Sequence, residues 1–264
     1  MGADKRLWVF GPHAVRAVLE RAPERVLELF IAARREDARS QALRASAAQL
    51  GLTVQPASDA MLTERTGSSA HQGIAASIRP ARPWDEADLE RALGATTLPL
   101  LLVLDGVTDP HNLGACVRTA AAAGALALIV PRDRSASLEG AARKAAAGMA
   151  EFLPIVTVTN LARTLGFLKA RGVWIAGTDA SASATLYEAD LARPLALVLG
   201  SEGEGMRRLT RERCDFLMRI PMAEAAESLN VSVAAGIALF EAQRQRRQAE
   251  AGAGAGAGVA PVRH

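Results

Sequence analysis

From residue 100 onward, short apolar segments of strand length alternate with stretches of helical periodicity. The apolar segments cover residues 100–104, 126–130, 155–158, 173–176, 195–199 and 216–220, and the predicted helices lie near 112–123, 138–147, 160–170 and 230–247. Because the apolar segments are continuous and do not alternate with polar residues, both faces of the sheet must be covered. The pattern therefore predicts an α/β domain with a parallel sheet over residues 99–247.

A smaller α/β unit is predicted over residues 1–78. Its expected strands cover 7–10, 26–31, 52–55 and 73–78, and its main helices cover 13–21 and 36–50, with Ser58 as the candidate cap of a further short helix. His71 is the residue of chemical interest here, and a structural or RNA-contact role is favoured over catalysis. Prolines indicate a linker over 79–98 that carries a short acidic helix, and the Ala-Gly repeat predicts a disordered tail over 248–264.

Composition excludes several classes of protein. Aromatic residues make up 4% of the 264 residues, which argues against a binder of single strands that relies on base stacking. The net charge of +3 permits an acidic partner without requiring one. Two distant cysteines, Cys116 and Cys214, predict neither a disulfide framework nor a metal site. Without a signal peptide or an apolar run long enough to cross a membrane, the expected location is the cytoplasm.

A glycine-rich loop follows the apolar segment 195–199. Its glycines, Gly200, Gly203 and Gly205, have the spacing G-x-x-G-x-G, which matches neither the dinucleotide-binding fingerprint nor a P-loop. Glu202 and Glu204 would repel a phosphate. A cationic nucleoside cofactor such as S-adenosylmethionine is compatible with the two carboxylates, and glycines let the backbone approach an adenine closely. Spacing alone also permits an ordinary turn.

Three motifs occur in order over residues 100–245. The first is Asp105…Asp109-Pro110-His111-Asn112-Leu113-Gly114…Arg118-Thr119-Ala120, the second is Gly200-Ser201-Glu202-Gly203-Glu204-Gly205-Met206, and the third is Ile220-Pro221-Met222…Ser228-Leu229-Asn230-Val231-Ser232-Val233-Ala234. Together they resemble the three motifs of the SpoU-type (TrmH-type, SPOUT superfamily) RNA 2′-O-ribose methyltransferases. Val9-Phe10-Gly11-Pro12-His13-Ala14-Val15 and His71-Gln72-Gly73-Ile74 are most similar to the members that methylate a guanosine ribose in the P-site loop of 23S rRNA.

The resemblance implies an architecture and a cofactor. The catalytic domain would be an α/β-knot with a C-terminal trefoil knot, would form a homodimer, and would follow a small ribosomal-protein-like RNA-binding domain. S-adenosylmethionine would contact chiefly the backbone of Gly200, Ile220 and Leu229, with Leu199, Gly205 and Met222 in the segments that wrap its adenine and ribose. From the residues alone, an ordinary core position is favoured for Ile220 and Leu229.

The resemblance also assigns catalytic roles to Asn112, Arg118, Glu202, Ser228 and Asn230. Four of the five have a structural alternative: Asn112, Ser228 and Asn230 could cap helices, and Arg118 could anchor a phosphate or form a surface salt bridge. Arg118 is expected to stabilise a developing alkoxide, because an arginine is too basic to accept a proton at neutral pH. Its spacing of six residues from Asn112 does not put both on one helical face, so Asn112 should lie in a loop or the two should act in different subunits.

Two further features concern the rim of the expected site. Where family members commonly have glycine, this chain has Glu224, which alters the charge and backbone freedom of the cofactor loop. A set of basic residues could contact RNA phosphates. It comprises Arg132, Arg134, Arg143, Lys144, Arg207, Arg208, Arg211 and Arg213.

The sequence therefore predicts S-adenosylmethionine-dependent methylation of a ribose 2′-hydroxyl, of a guanosine in 23S rRNA. The expected partners are 23S rRNA and a second copy of the chain, with no metal and no membrane. Two alternatives remain at this point: the same chemistry on tRNA or on another rRNA nucleotide, and a non-catalytic RNA-binding protein of ribosome assembly.

Overall fold

The computed structural model describes residues 6–146, 148–223, 226 and 228–256. The chain forms two compact units that divide between Arg82 and Pro83. The first unit contains, in chain order, β1 (Leu7–Phe10), α1 (Pro12–Arg21), β2 (Val26–Ala32), α2 (Ala38–Gln49), β3 (Val54–Ala57), α3 (Asp59–Thr66) and β4 (Ile74–Ile78). Its sheet has the order β1-β4-β2-β3 and is mixed, since β2 and β3 are parallel while β4 is antiparallel to both of its neighbours.

The second unit is built on a parallel sheet of six strands. Its elements are α4 (Glu86–Gly94), β5 (Leu100–Asp105), α5 (Pro110–Ala122), β6 (Ala127–Pro131), α6 (Gly140–Ala145), β7 (Ile155–Val158), α7 (Leu161–Ala170), β8 (Trp174–Thr178), β9 (Leu195–Gly200), α8 (Arg208–Arg213), β10 (Phe216–Met218) and α9 (Val231–Gly256). The strand order is β10-β8-β9-β5-β6-β7, and each pair is parallel. The prediction of a parallel α/β domain is confirmed.

Apolar side chains lie on both faces of this sheet, because its strands are apolar throughout and successive side chains along a strand point to opposite sides. Leu102 and Leu104 of β5 pack into a core shared with α5 and α9. Leu101 and Val103 of the same strand pack into a second core with residues of α4 and α7. Each strand therefore contributes to two buried layers, as the absence of polar alternation in the sequence requires.

Two predicted boundaries are corrected by the structure. The linker assigned to residues 79–98 is shorter, because α4 packs Leu89 and Leu93 into the core of the second unit and Asp85 forms a capping box with Asp88. Residues 248–256 of the predicted disordered tail are helical, because α9 continues through Gly256; residues 257–264 lie outside the described part of the chain. Alanine is the strongest helix former, and the alanines in this stretch offset the helix-destabilising effect of its glycines.

Among the described residues, no helix is both long and apolar enough to cross a membrane.

The contact between α5 and α6 depends on Gly114. A Cβ atom at this position would lie 2.3 Å from the carbonyl oxygen of Ala142 and 2.6 Å from Cβ of Ala145. We expect Gly114→Ala to lower the free energy of unfolding by about 1–3 kcal/mol, because α6 or α5 must shift to admit the methyl group. Urea unfolding followed by circular dichroism measures the change.

Gly166 of α7 provides the matched control. A Cβ there would meet only the Arg213 side chain, at 3.8 Å. Gly166→Ala should therefore raise the free energy of unfolding by about 0.5–1 kcal/mol, the usual gain for alanine over glycine inside a helix. Equal effects of the two substitutions would contradict the steric explanation.

Candidate active site

A cavity of about 330 Å³ opens at the carboxyl ends of β8 and β9. Ligands of open parallel sheets bind at this edge. Four segments line the cavity: residues 178–180 after β8, residues 199–205 at the end of β9, residues 219–222 after β10, and residues 228–234 at the start of α9. Every wall therefore comes from the second unit, and three of the four segments lie in the last quarter of the sequence.

The glycine-rich loop folds back on itself at the mouth of the cavity. The backbone amides of Ser201 and Gly205 each donate a hydrogen bond to the other residue's carbonyl oxygen, at 3.1 and 3.0 Å. A Cβ at Gly200 would lie 2.0 Å from the carbonyl carbon of Gly205, so no other residue fits there. Gly205 has φ +69°, in the left-handed region that favours glycine. The glycines of this loop therefore allow its two ends to approach each other closely, backbone against backbone.

A buried ion pair holds the end of this loop against β5. Asp105, the last residue of β5, is 1% exposed and accepts hydrogen bonds from the backbone amide of Arg207 at 2.9 Å and from its Nε at 2.6 Å. The sequence analysis includes Asp105 in its first motif but gives it no role. The sequence did contain a signal for this role, since Asp105 directly follows the predicted buried strand and precedes Gly106.

All six predicted cofactor-binding residues line the cavity: Leu199, Gly200, Gly205, Ile220, Met222 and Leu229. Ile220 also packs against the main core of the unit, so its structural alternative holds alongside its position in the wall. Of the predicted catalytic residues, Glu202 and Ser228 line the cavity as well. Glu224 lies outside the described residues.

Glu202 is the centre of a hydrogen-bond network that joins three distant segments. Its Oε1 accepts a hydrogen bond from Nδ2 of Asn112 at 3.2 Å and from the backbone amide of Val231 at 3.0 Å. Nδ2 of Asn230 donates to Oδ1 of Asn112 at 2.8 Å. The structure thus brings together three of the five predicted catalytic residues, beside the cavity and at the N-terminus of α9, where the helix dipole favours a negative charge.

The structural alternative of helix capping fails for Asn112 and holds for Asn230. Asn112 is no N-cap, because Asp109 caps α5 by accepting a hydrogen bond from the amide of His111 at 3.0 Å, and Asn112 lies in the first helical turn. Of the two alternatives for the cooperation of Asn112 with Arg118, the one that places Asn112 in a loop is therefore wrong. Asn230 does cap α9, since its Oδ1 accepts from the amide of Ser232 at 3.0 Å. Its side chain performs both tasks because the amide nitrogen remains available to Asn112.

Arg118 lies away from this network. It is exposed on α5 and, within the part of the chain that the structure describes, makes no ion pair or side-chain hydrogen bond. Six residues after Asn112, it is rotated by about 240° around the helix axis. The salt-bridge alternative thus finds no partner among the described residues, and within one copy Arg118 and Asn112 do not face the same site.

A second acidic residue in the cavity wall was missed by the sequence analysis. Asp179 follows β8, and its Oδ1 accepts hydrogen bonds from the amide and hydroxyl of Ser181 at 2.8 and 2.6 Å. The pKa of Asp179 is lowered, first by the Ser181 hydroxyl and further by Arg211, whose Nε lies 2.8 Å from Oδ2. The carboxylate is therefore held ionised. An aspartate after a strand at the ligand-binding edge was the available signal.

The cysteines are unsuited to chemistry at this site. Burial, with a smaller contribution from the charge of Glu202, raises the pKa of Cys116 to about 12, and burial likewise raises the pKa of Cys214 to about 12. Both thiols stay protonated at neutral pH and cannot act as nucleophile or base. Among the residues described, no cluster of side chains could hold a metal ion.

Several arginines of the predicted RNA-binding rim form ion pairs inside the unit. Arg207 pairs with Asp105 and Arg211 with Asp179, while Arg143 pairs with Glu151 and Arg208 with Glu212. Arg207 and Arg211 thereby stabilise the cavity walls. Arg132, Arg134 and Arg213 make no ion pair with the described residues and so remain candidates for RNA contact.

Two family models match the chain. The SpoU rRNA Methylase family matches residues 99–240, more than half of the chain, and the RNA 2′-O ribose methyltransferase substrate binding family matches residues 8–84. The chain therefore belongs to the SpoU rRNA methylase family, as its three motifs predicted.

Curated relatives carry a more specific name. The chain is 53% identical over 236 residues to the 23S rRNA (guanosine-2′-O-)-methyltransferase RlmB of Escherichia coli strain K12, covering 89% of this chain and 97% of that protein. It is 55% identical to the Yersinia pestis protein of the same name, covering 89% and 96% of the two chains.

Solved structures support the same family. A crystal structure of an RNA 2′-O ribose methyltransferase aligns with TM-score 0.66 and 28% identity, over 92% of this chain and 90% of that one. The SpoU methyltransferase AviRb from Streptomyces viridochromogenes, in complex with AdoMet, aligns with TM-score 0.67 and 25% identity, over 92% and 91%.

We expect Glu202→Ala to lower the free energy of unfolding by about 1 kcal/mol, because it removes the acceptor for Val231 and Asn112. Glu202→Gln should lose less, since its amide oxygen can accept the same two hydrogen bonds. Glu204→Ala is the matched control, because Glu204 in the same loop makes no side-chain hydrogen bond to a described residue. Thermal and urea unfolding of the three variants test the order; an equal loss in all three would exclude the network.

Proposed function

We propose that this chain transfers a methyl group from S-adenosylmethionine to the ribose 2′-hydroxyl of a guanosine in 23S rRNA. The observation that carries the proposal is the cavity at the ends of β8 and β9, which is lined by all six predicted cofactor-binding residues and adjoins the Glu202–Asn112–Asn230 network. The name of the relatives at 53–55% identity supports the specific substrate.

The cavity wall fits an adenosyl group. Leu199, Ile220 and Leu229 provide apolar surface for a purine ring. In the described part of the chain, the backbone amides of Ile220 and Leu229 make no internal hydrogen bond, which leaves them available to the polar edge of the base. Gly200, where a side chain would collide with Gly205, lets the backbone of residues 205 and 206 pack directly against this wall.

The charges of the cavity favour a cationic cofactor over a phosphorylated one. Glu202 and Asp179 supply two carboxylates. The cationic side chain in the wall, Arg219, donates hydrogen bonds through Nη1 to the carbonyl oxygens of Ala182 and Ser183. A pyrophosphate would meet net negative charge here, whereas a sulfonium would be stabilised.

When bound, S-adenosylmethionine supplies a methyl group that its sulfonium leaving group already activates. The protein must then align the 2′-oxygen with the methyl carbon and sulfur, and such alignment can provide much of the acceleration. Asn112 and Asn230 are hydrogen-bonded to each other, and Asn112 is also hydrogen-bonded to Glu202, so their positions are set before the RNA arrives. Ser228, in the wall beside them, is exposed and can donate a hydrogen bond to the ribose.

We propose that Arg118 reaches the site of a partner subunit in a homodimer. Its exposure, its lack of an ion pair among the described residues and its rotation away from Asn112 support action outside its own copy. Val233 and Phe240 of α9 are half exposed and seven residues apart, an apolar stripe that a second subunit could cover. Arg118 would bind the RNA phosphate and stabilise the developing alkoxide, while the 2′-hydroxyl proton would leave to that phosphate or to water, since arginine cannot accept it.

We also propose the C-terminal trefoil knot. Its support is the set of contacts that α9 makes with two earlier stretches of chain. Gln245 and Arg246 hydrogen-bond to the backbone of Ala189, Leu191 and Arg193 in the long connection before β9. Gln243 and Arg246 also donate to backbone carbonyls of Ala123 and of residues 98–99. Such threading is an exception to the usual rules of topology.

Ribosomal RNA is the favoured substrate over tRNA. A TrmH/SpoU tRNA modifying enzyme from A. aeolicus matches 62% of this chain at 34% identity, whereas the RlmB relatives match 89%. The first unit, which matches the substrate-binding family, is the part that an rRNA substrate would use. An enzyme acting on bacterial rRNA would work in the cytoplasm, where ribosomes assemble.

In a strain that lacks this gene, one guanosine of 23S rRNA should lose its ribose methyl group. Expression of the wild-type chain should restore the methyl group and Arg118→Ala should not, while calorimetry with S-adenosylmethionine should give nearly equal affinities, because Arg118 lies outside the cavity. Ribose methylation is mapped across rRNA and tRNA by protection from alkaline cleavage. A missing methyl group on tRNA would redirect the substrate, and an unchanged map would favour a non-catalytic role in ribosome assembly.

Mixed dimers test the partner-subunit role of Arg118. Leu229→Arg should abolish cofactor binding by filling the cavity, and Arg118→Ala should abolish transfer, so each homodimer should be inactive. A mixed dimer pairs one intact cavity with one intact arginine, and methyl transfer to a 23S rRNA transcript should return. If the mixture stays inactive although mass spectrometry detects the mixed dimer, Arg118 acts within its own subunit.

A further inference from the structure

The first unit contains a cleft at the carboxyl ends of β2 and β3. It has a volume of about 610 Å³, within the range of cavities that hold small ligands. Its polar lining includes Arg34, Arg35, Asp59, Thr63, His71 and Gln72. A second cavity of about 450 Å³ shares Arg34 and Asp59, so the two form one groove around this pair.

Buried hydrogen bonds fix one wall of the cleft. His71 is 4% exposed, and its Nδ1 accepts a hydrogen bond from the backbone amide of Gly73 at 3.0 Å. Because Nδ1 is an acceptor, the ring proton is on Nε2, which lies 3.0 Å from Oγ1 of Thr63 and donates to it. His71 therefore connects the loop before β4 to α3 and serves as a positioning residue.

This anchored loop holds Gln72 in an uncommon backbone conformation. Gln72 has φ +49°, one of two described non-glycine residues with positive φ. Gly73 follows with φ +69°, and a Cβ there would lie 3.2 Å from Cβ of Ala32. Backbone strain of this kind persists where the surroundings impose it, often at binding sites. The exposed amide of Gln72, a donor and an acceptor, is thereby presented at the cleft.

The charges at the groove can exchange partners. Arg34 has 83% of its side chain exposed and pairs with Asp59, whose side chain is 42% exposed. An ion pair that is this accessible to solvent contributes little to stability, so a phosphate can replace the carboxylate at little cost. A guanidinium binds phosphate through two parallel hydrogen bonds. Arg35 is held more firmly, with 20% of its side chain exposed and an ion pair to Asp37.

We propose that this groove captures an unpaired stretch of the substrate RNA, with a phosphate on Arg34 and the edge of one base against Gln72. Unpaired nucleotides are what proteins read in RNA, because their edges are accessible, and arginine planes can stack on bases where aromatic residues are lacking. The inference rests on the proposed function for its choice of RNA. It adds the location, the two contact residues and the unpaired state of the bound stretch.

Opposite charge changes within one ion pair provide the test. In the full-length chain, Arg34→Gln should weaken binding of a 23S rRNA transcript several-fold and reduce the slope of log affinity against log salt by about 0.7–1, the share of one phosphate contact. Asp59→Asn should tighten binding several-fold, because it removes the carboxylate that competes with phosphate. Arg21→Gln is the matched control, an exposed arginine at the last position of α1, and should change neither quantity beyond the general effect of one charge.

Gln72→Gly separates recognition from folding. Glycine tolerates positive φ, so this variant should be at least as stable as the wild type, while the KM for RNA should rise and kcat at saturating RNA should stay unchanged. An annealed duplex of the same transcript should bind the wild type and Gln72→Gly equally, because its base edges are paired.

The outcomes separate the two levels of the proposal. If Arg34→Gln and Arg21→Gln have equal affinities and salt slopes, or if Asp59→Asn weakens binding, the groove is not the capture site. If the wild-type chain neither binds nor methylates 23S rRNA, the proposed function itself fails. Binding and methylation by the wild type, together with the first result, would leave the function intact and overturn only the groove.

Discussion

The geometry of the candidate active site depends on the contact between Gly200 and the peptide that joins Gly205 to Met206. The backbone of Gly205 and Met206 occupies the space that a Cβ atom of Gly200 would fill, so the loop after β9 turns back immediately. This turn directs Glu202 toward α5 and α9, where it accepts hydrogen bonds from Asn112 and Val231. The buried pair of Asp105 and Arg207 then fixes the other end of the loop against the sheet. One steric constraint thus positions a network that spans more than a hundred residues of sequence.

The sequence predicts the sheet well, because a parallel sheet covered on both faces needs continuous apolar strands. All six apolar segments of the second unit correspond to strands, with ends that move by one or two residues. The prediction does less well where tertiary packing decides. Residues 83–98 have the composition of a linker, but Leu89 and Leu93 bury against the sheet, and no local pattern reveals which surface will cover them.

Prediction of the site succeeds and fails for different physical reasons. Motif resemblance indicated the cavity walls, since six residues from three segments meet around one space. It did not reveal Asp179 or the structural role of Arg207 and Arg211, because an arginine that pairs inside the fold looks the same in sequence as one that meets solvent. Nor could spacing show that Asp109 caps α5 and leaves Asn112 free to bond with Asn230.

Helix α5 carries Asn112 in its first turn and Arg118 six residues later, about 9 Å along a rigid axis. If each copy places its asparagine at its own cavity and its arginine at the cavity of its partner, both groups are carried by a rigid helix and no loop movement can adjust their positions. The way the two subunits pack together then determines the distance between the two groups at each cavity. Selection on the subunit interface is then also selection on turnover, and a substitution far from any substrate could slow the reaction while cofactor affinity stays the same.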